Sequence, residues 1–353
     1  MFEKYKLHRA TYYYYNLLNS EEKEFYKSAL YSLLNLRDEL VMDIKLSSAS
    51  VQKVLRYIVQ DRPDIFWFNG KCTITSSANI IVKISFSYIY STEYIKKTID
   101  QICSSKFYNT VNTLIQNKAN DFEKALCAYE YLIKNTEYDE AAAHSEADCY
   151  NYAHGIAGVM LKGKAVCSGY AKTFQYLMSK HNVVCTLVTG ETSKERHAWN
   201  LINLYGNYYY IDVTWGDPVF SNREKKNSDY ISYDYFCITT DELMKSHRPK
   251  FDDQMPKCVA NKYNYYHYYG LIDDTYSIKN IATHIVSAKR NLKTEAVVKY
   301  TRQAEFQRAI TQLFKKSEIF EALKLASLNV KGINVKQVNY STDPEKLIIK
   351  ISV

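Results

Sequence analysis

The chain has 353 residues, 46% hydrophobic and 24% charged, which is long enough for two or three domains with sizeable cores. Its net charge of +8 is dispersed, and the densest basic run, REKK at 223–226, contains a Glu, so a nucleic-acid surface is not expected. No stretch reaches the roughly 20 apolar residues of a membrane span, and the opening MFEKYKLHRATYYYY lacks the apolar segment and cleavage site of a signal peptide, which points to a cytoplasmic protein.

The first elements are helical. Residues 20–40 carry Phe25, Ala29, Leu30, Leu33 and Leu34 on one face, with Asn19 or Ser20 as the cap and Glu21, Glu22 and Glu24 near the positive end of the helix dipole. A second helix is expected at about 49–60, broken at Pro63, with a turn at Asn69-Gly70. KCTITSS and NIIVKISFSYIY read as a strand pair. Helical patterns return at 92–116 and more clearly at 121–134, where Asn120 and Glu123 form a cap pair.

Further on, 168–180 reads as a helix with Ala171, Phe174, Leu177 and Met178 buried, and VVCTLVTG as a strand. HAWNLINL and NYYYIDVTW read as two strands joined across Tyr205-Gly206. Loop 218–232 is polar and could serve as a lid or simply as a solvated loop. YDYFCITTDELMKSH gives a strand and then a helix capped near Thr240 or Asp241. Past 270 the expected elements are a strand in EAVVKYT, helices at 302–316 and 317–327, and strands in VKQVNYS and EKLIIKIS. These patterns place domain boundaries near 115 and 275. They give an N-terminal α/β domain at 1–115, a core at 116–274 and a small C-terminal α/β module at 275–353.

The eight cysteines, at 72, 103, 127, 149, 167, 185, 237 and 258, include no CxxC pair. His144, Asp148, Cys149 and His154 match no standard metal spacing, so no metal or other cofactor is expected. The chain has 34 tyrosines, with runs at Tyr12–Tyr15, Tyr208–Tyr210 and Tyr265–Tyr269, the last interrupted by His267, and they fit half-buried packing with a wet hydroxyl.

Cys167 stands at the start of the 168–180 helix, where unpaired N–H groups lower a thiol pKa and can bind an oxyanion. In the Tyr205-Gly206 hairpin Leu204 faces Asn207, so Trp199 faces Asp212 and His197 faces Thr214. His197 and Asp212 are then diagonal neighbours on one face. A thiol nucleophile, an imidazole base and a carboxylate orienting that base make a coherent set. Ser168 and Gly169 keep bulk away from the thiol, and Trp199 and Trp215 are candidate cleft walls or plain sheet packing. Each triad member alone has an ordinary alternative: a core cysteine, a satisfied strand histidine, a turn aspartate. Spacing does not choose between these readings.

GKAVCSGYAKTF, HAWNLI and YYYIDVTWGDP together resemble the core of the transglutaminase-like (transglutaminase/protease-like) superfamily, in the order found in its bacterial branch. YYYNLLNSEEKEFYKSAL, DRPDIFWFNG, NDFEKALCAYEYLIKNTEYD and SYDYFCITTDELMKSH resemble flanking segments of larger bacterial members. The resemblance implies a papain-like α+β fold, with the nucleophile at the start of a central helix packed on an antiparallel sheet. It puts the family's nucleophile on Cys167, its histidine on His197 and its acid on Asp212. The implied activity is acyl-enzyme chemistry on a protein or peptide amide, as a cysteine peptidase, amidase or transglutaminase. Many bacterial relatives carry a tyrosine before the glycine of the preceding apolar segment. Here Ala157-Gly158-Val159-Met160 stands there, which leaves the Cys167 N–H as the one oxyanion donor named. Two other readings are a non-catalytic interaction scaffold of the same fold and acyl transfer to a small molecule, as in arylamine acetyltransferases.

Overall fold

The computed structural model describes residues 12–78, 80–145, 148–193, 195–217, 231–250 and 255–353. It is a mixed α+β protein whose contacts divide it into two units, Met1–Asn261 and Lys262–Val353.

In the first unit, helix α1 (Tyr13–Asn16) leads into α2 (Ser20–Leu34), where Asn19 and Glu22 close a reciprocal capping box. β1 (Glu39–Ile44) and α3 (Ser48–Asp61) follow. β2 (Phe68–Ser77) and β3 (Ile80–Tyr88) form the expected antiparallel pair, and β1 adds to it in the order β1-β3-β2. Sequence reading did not anticipate β1. It is a short edge strand, with Val41 73% exposed, and its pairing with β3 creates it. The pattern at 92–116 resolves into α4 (Thr92–Ser104) and α5 (Lys106–Gln116), which part at Ser105. α6 (Asp121–Asn135) begins where Asn120 accepts from the Glu123 N–H.

The tyrosine run at 12–15 is packing. Tyr12, Tyr13 and Tyr14 are buried, and the Tyr14 and Tyr15 N–H groups both donate to the Asp61 carboxylate. The N-terminal segment also buttresses the elements behind it. Tyr14 Oη donates to the Leu187 carbonyl and Gln175 Nε2 to the Gln60 carbonyl.

After β4 (Glu137–Tyr138) and α7 (Glu140–Ala143), a short parallel bridge pairs β4 with β5 (Lys164–Ala165), just ahead of α8 (Cys167–Lys180). α8 is a central helix. Ala171, Phe174, Leu177 and Met178 are buried as expected, and Tyr170 and Tyr176 with them. It packs on an antiparallel sheet made of β6 (Cys185–Thr192), β7 (Arg196–Leu204), β8 (Asn207–Ile211), β9 (Phe236–Ile238) and β10 (His247–Pro249), in the order β10-β6-β7-β8-β9. Asn200 Nδ2 on β7 ties the sheet to α8 through the Ala171 carbonyl. The β7–β8 turn has Tyr205 at φ 54 and Gly206 at φ 88, and Leu204 pairs with Asn207. Two positive φ values mark the turn whose twist matches that of a hairpin. Residues 218–230 of the candidate lid lie outside the described residues. The helix Thr240–Leu243 is capped by Thr239, one residue before the expected position, in a capping box with Glu242.

The second unit has its own core under a sheet ordered β11-β12-β14-β13, from β11 (Ile272–Asp273), β12 (Glu295–Tyr300), β13 (Tyr340–Asp343) and β14 (Ile348–Ser352). The helix Ile278–Arg290 was not anticipated, although Ile281, Ile285 and Ala288 form a helical stripe behind the Ser277 cap. The pattern at 302–316 is a helix, Gln303–Ile310, that widens into a π turn at Thr311–Lys315. VKQVNYS is strand only from Tyr340 onward.

Candidate active site

The site sits where the front of α8 meets β7 and the end of β8. Cys167 is the first residue of α8 and is half-buried, packed against Ala171, Leu187 and Ala198. The helix N-cap, Val166, offers no side-chain cap. The Gly169 and Tyr170 N–H groups both donate to the Val166 carbonyl, so the Cys167 and Ser168 N–H groups are the ones ahead of the helix's own ladder.

His197 is the second residue of β7, and Asp212 lies one residue past β8. The β7–β8 ladder ends at Asn200–Ile211, so one further step brings Trp199 opposite Asp212. His197 and Asp212 are both buried, and His197 Nε2 lies 2.8 Å from Asp212 Oδ2. Because Nε2 is committed to the carboxylate, Nδ1 is the ring nitrogen that can serve the thiol. Cys167 is near enough to this ring to contribute to its raised pKa.

Burial alone would lower the His197 pKa. Asp212, by charge and hydrogen bond, and then Cys167 outweigh that effect and push it up to about 10. Burial would likewise raise the Asp212 carboxyl, but His197 and then His247 hold it well below the usual carboxylate range. Asp212 Oδ1 takes the Trp215 N–H at 3.1 Å, and the Asp212 N–H donates to the Tyr235 carbonyl. Both carboxylate oxygens are thus used.

Two neighbours escaped the sequence reading. His247 is fully buried on the edge strand β10, with Nε2 3.1 Å from Asp212 Oδ2 and Nδ1 2.7 Å from Ser246 Oγ. Its ring packs on Trp215, Trp199 and Tyr235, with centroids 4.6, 4.8 and 5.4 Å away. Tyr138 on β4 is the second. Burial raises its pKa, and the charges of Cys167, Glu195, Glu140 and Asp212 add to the rise, which puts its hydroxyl in the field of the site. Only the KSH triplet before Arg248 could have flagged His247, and it has no periodic or spacing signal.

The expected cleft residues fall in different places. Trp199 is fully buried and stacks on His197, while Trp215 is half-buried and lies 5.9 Å from the same ring. Gly169 is buried, and a Cβ there would sit 2.4 Å from the Ala153 carbonyl oxygen, so tight packing of α8 requires this glycine. Ser168 Oγ lies 3.1 Å from His154 Nδ1. His154 borders a cavity of about 530 Å³ shared with Phe66, Tyr90, Tyr94, Tyr152 and Lys172, and a second of about 340 Å³ shared with His144 and Arg196. The side chains of Asp148 and Cys149 lie outside the described residues. Among those described, a nitrogen of His197, a nitrogen of His247 and an oxygen of Asp212 lie within 4.8 Å of one another, a donor set of the kind that suits a transition metal. In this structure the same atoms are hydrogen-bonded to each other.

Residues 108–213 match the family model described as the Transglutaminase-like superfamily. The chain is 26% identical over 151 residues to Kyphoscoliosis peptidase of Mus musculus and, equally, to that of Homo sapiens. That alignment takes in 39% of this chain and 22% of the curated relatives, so the chain spans about a fifth of their length. A solved structure titled as that of a TGase superposes with a TM-score of 0.31 at 15% identity, covering 50% of each chain. The chain carries a transglutaminase-like superfamily domain, matched over residues 108–213, on an α+β fold.

Proposed function

We propose that the protein is a thiol-dependent enzyme that opens amide bonds of peptides or glutamine-type side chains through a covalent acyl-enzyme, with Cys167 as nucleophile, His197 as acid and base, and Asp212 as the group that orients His197. The observation that carries this reading is the buried 2.8 Å bond between His197 and Asp212, on an imidazole whose pKa the nearby Cys167 also helps to raise. In the first step the Cys167 sulfur bonds to the carbonyl carbon. The C–N bond breaks, and the leaving amine takes the proton held by His197. In the second step an acceptor attacks the thioester, gives its proton to His197, and displaces the sulfur. The Cys167 N–H at the front of α8 supplies a hydrogen bond where the oxyanion develops.

Water as the acceptor makes the enzyme a peptidase or amidase, and an amine makes it a transglutaminase. Hydrolysis is the preferred reading because the curated relatives are named as peptidases. The test is limiting iodoacetamide across pH, followed by mapping of the labelled cysteine. The expected result is selective labelling of Cys167 well below the usual thiol pKa of about 8.5, abolished in His197→Ala. Even labelling of several cysteines rejects the proposal. Incubating wild type and Cys167→Ala with a proteome then identifies the reaction: new peptide termini mean hydrolysis, isopeptide links transamidation, and converted glutamines deamidation.

A further inference from the structure

A second imidazole on the catalytic carboxylate is not needed by the chemistry above, yet the fold places one there. His247 and His197 address the same oxygen, Asp212 Oδ2, at 3.1 and 2.8 Å, and their ring centroids are 5.5 Å apart. A carboxylate only accepts, so His247 Nε2 carries its proton. Nδ1 lies 2.7 Å from Ser246 Oγ, and Tyr235 Oη donates to Ser246 Oγ at 3.2 Å. Tyr235, Ser246 and His247 thus form a hydrogen-bonded chain that ends on Asp212.

The surroundings hold this arrangement rigidly. Trp199, Trp215 and Tyr235 box the ring, and β10 is fixed to β6 by the pairing of His247 with Thr192. The titratable and charged groups facing it are Asp212, His197 on β7, Tyr235, and Arg248 next in the chain. Arg248 opposes Glu191 in the β6 register and bonds the carbonyls of Met244 and His247.

We propose that His247 is a positioning residue: it clamps Asp212 in the orientation that serves His197 and shares the carboxylate's charge, so that this charge is not spent on His197 alone. The inference rests on the triad reading of Cys167, His197 and Asp212. Without His247 the clamp loosens and His197 loses its aim at the thiol. The charge left on Asp212 then falls more heavily on His197, which holds its proton to higher pH.

The experiment compares wild type, His247→Phe, His247→Gln and Ser246→Ala. It reads the pH profile of Cys167 alkylation together with nitrogen-resolved spectra of the imidazoles, with folding checked by circular dichroism. In folded His247→Phe, alkylation at pH 7 should drop by about 10- to 100-fold, and the high-pH limb, where the His197 proton leaves, should move up by on the order of one unit. His247→Gln keeps an N–H donor and should restore both. A folded Phe variant with the wild-type profile overturns the proposal. If neither His247 variant folds, Ser246→Ala decides: a mixed His247 tautomer with the limb moved in the same direction supports the clamp, and unchanged spectra and profile overturn it.

Failure of the triad reading has a separate signature. If wild-type Cys167 is not preferentially labelled, that reading falls, and the spectra alone judge the clamp. A His247 Nε2–H signal in slow exchange, lost in Asp212→Ala, supports it. A His247 ring protonated on Nδ1 instead overturns it.

Discussion

Replacing Asp212 by alanine tests the electrostatics of the site most directly. The substitution removes the acceptor of three donors at once: His197 Nε2, His247 Nε2 and the Trp215 N–H. A buried donor left without an acceptor costs about 1–3 kcal/mol. The three together put the loss at no less than about 3 kcal/mol, a large part of a typical domain stability of about 5–15 kcal/mol.

The loss should also depend on pH, with a definite sign. His197 is pushed up to about 10 in the folded state, against about 6.5 unfolded. Its charge-dependent stabilisation is therefore fully present below about pH 6.5 and disappears as pH rises through about 10. Asp212 is depressed, so its share is present above about pH 4 and is lost as pH falls through the folded value. Both shifts describe one bond and are not added. The cost of Asp212→Ala should peak between about pH 4 and 6.5. Urea titrations of wild type and variant at pH 5.5, 8 and 10.5 measure it as a shift in midpoint at constant slope. A cost below about 1 kcal/mol at pH 5.5, or an equal cost at pH 5.5 and 10.5, would refute the assignment of a charged pair.

Two other substitutions probe what holds the site in place. Gly169→Ala puts a methyl 2.4 Å from the Ala153 carbonyl oxygen and 2.7 Å from the Ala165 Cβ, so it should cost about 1–3 kcal/mol and slow Cys167 alkylation by displacing the front of α8; an unchanged melting temperature and labelling rate would show that the turn gives way freely. Arg62 and Asp64 form a bidentate pair at 2.8 and 2.5 Å with both side chains buried. Arg62→Met should cost about 3–5 kcal/mol by stranding the carboxylate, and the double variant Arg62→Met/Asp64→Leu should recover most of it; a double variant as unstable as the single one contradicts this account.

The elements readable in the sequence were those specified by local chemistry. Asn19 with Glu22, and Asn120 ahead of Glu123, are short-range hydrogen-bonding patterns, and the helices start where they predict. Tyr205-Gly206 fixed the β7–β8 register because two positive φ values select one turn. Strand β1 could not be read this way. Glu39, Val41 and Asp43 are exposed, and its strand state comes from β3, with paired residues 37 or more positions apart in the chain. The helix Ile278–Arg290 is a different case, since its stripe and its Ser277 cap were both present in the sequence.

The same contrast separates the two histidines of the site. His197 and Asp212 lie 15 residues apart across one hairpin, so a period of two and a two-residue turn are enough to put them on one face. His247 reaches Asp212 from the opposite edge of the sheet by way of β6, and no local rule links residues 35 apart through that route. The cost of burying an imidazole explains its presence better than any pattern does. A fully buried ring needs a partner for each nitrogen, and Asp212 and Ser246 provide them. Two aromatic walls from β7 and from the turn after β8 then leave room for a flat ring and little else. Side-chain geometry that lies within a hairpin is written in the sequence, while geometry that closes across a sheet is fixed only when the sheet forms.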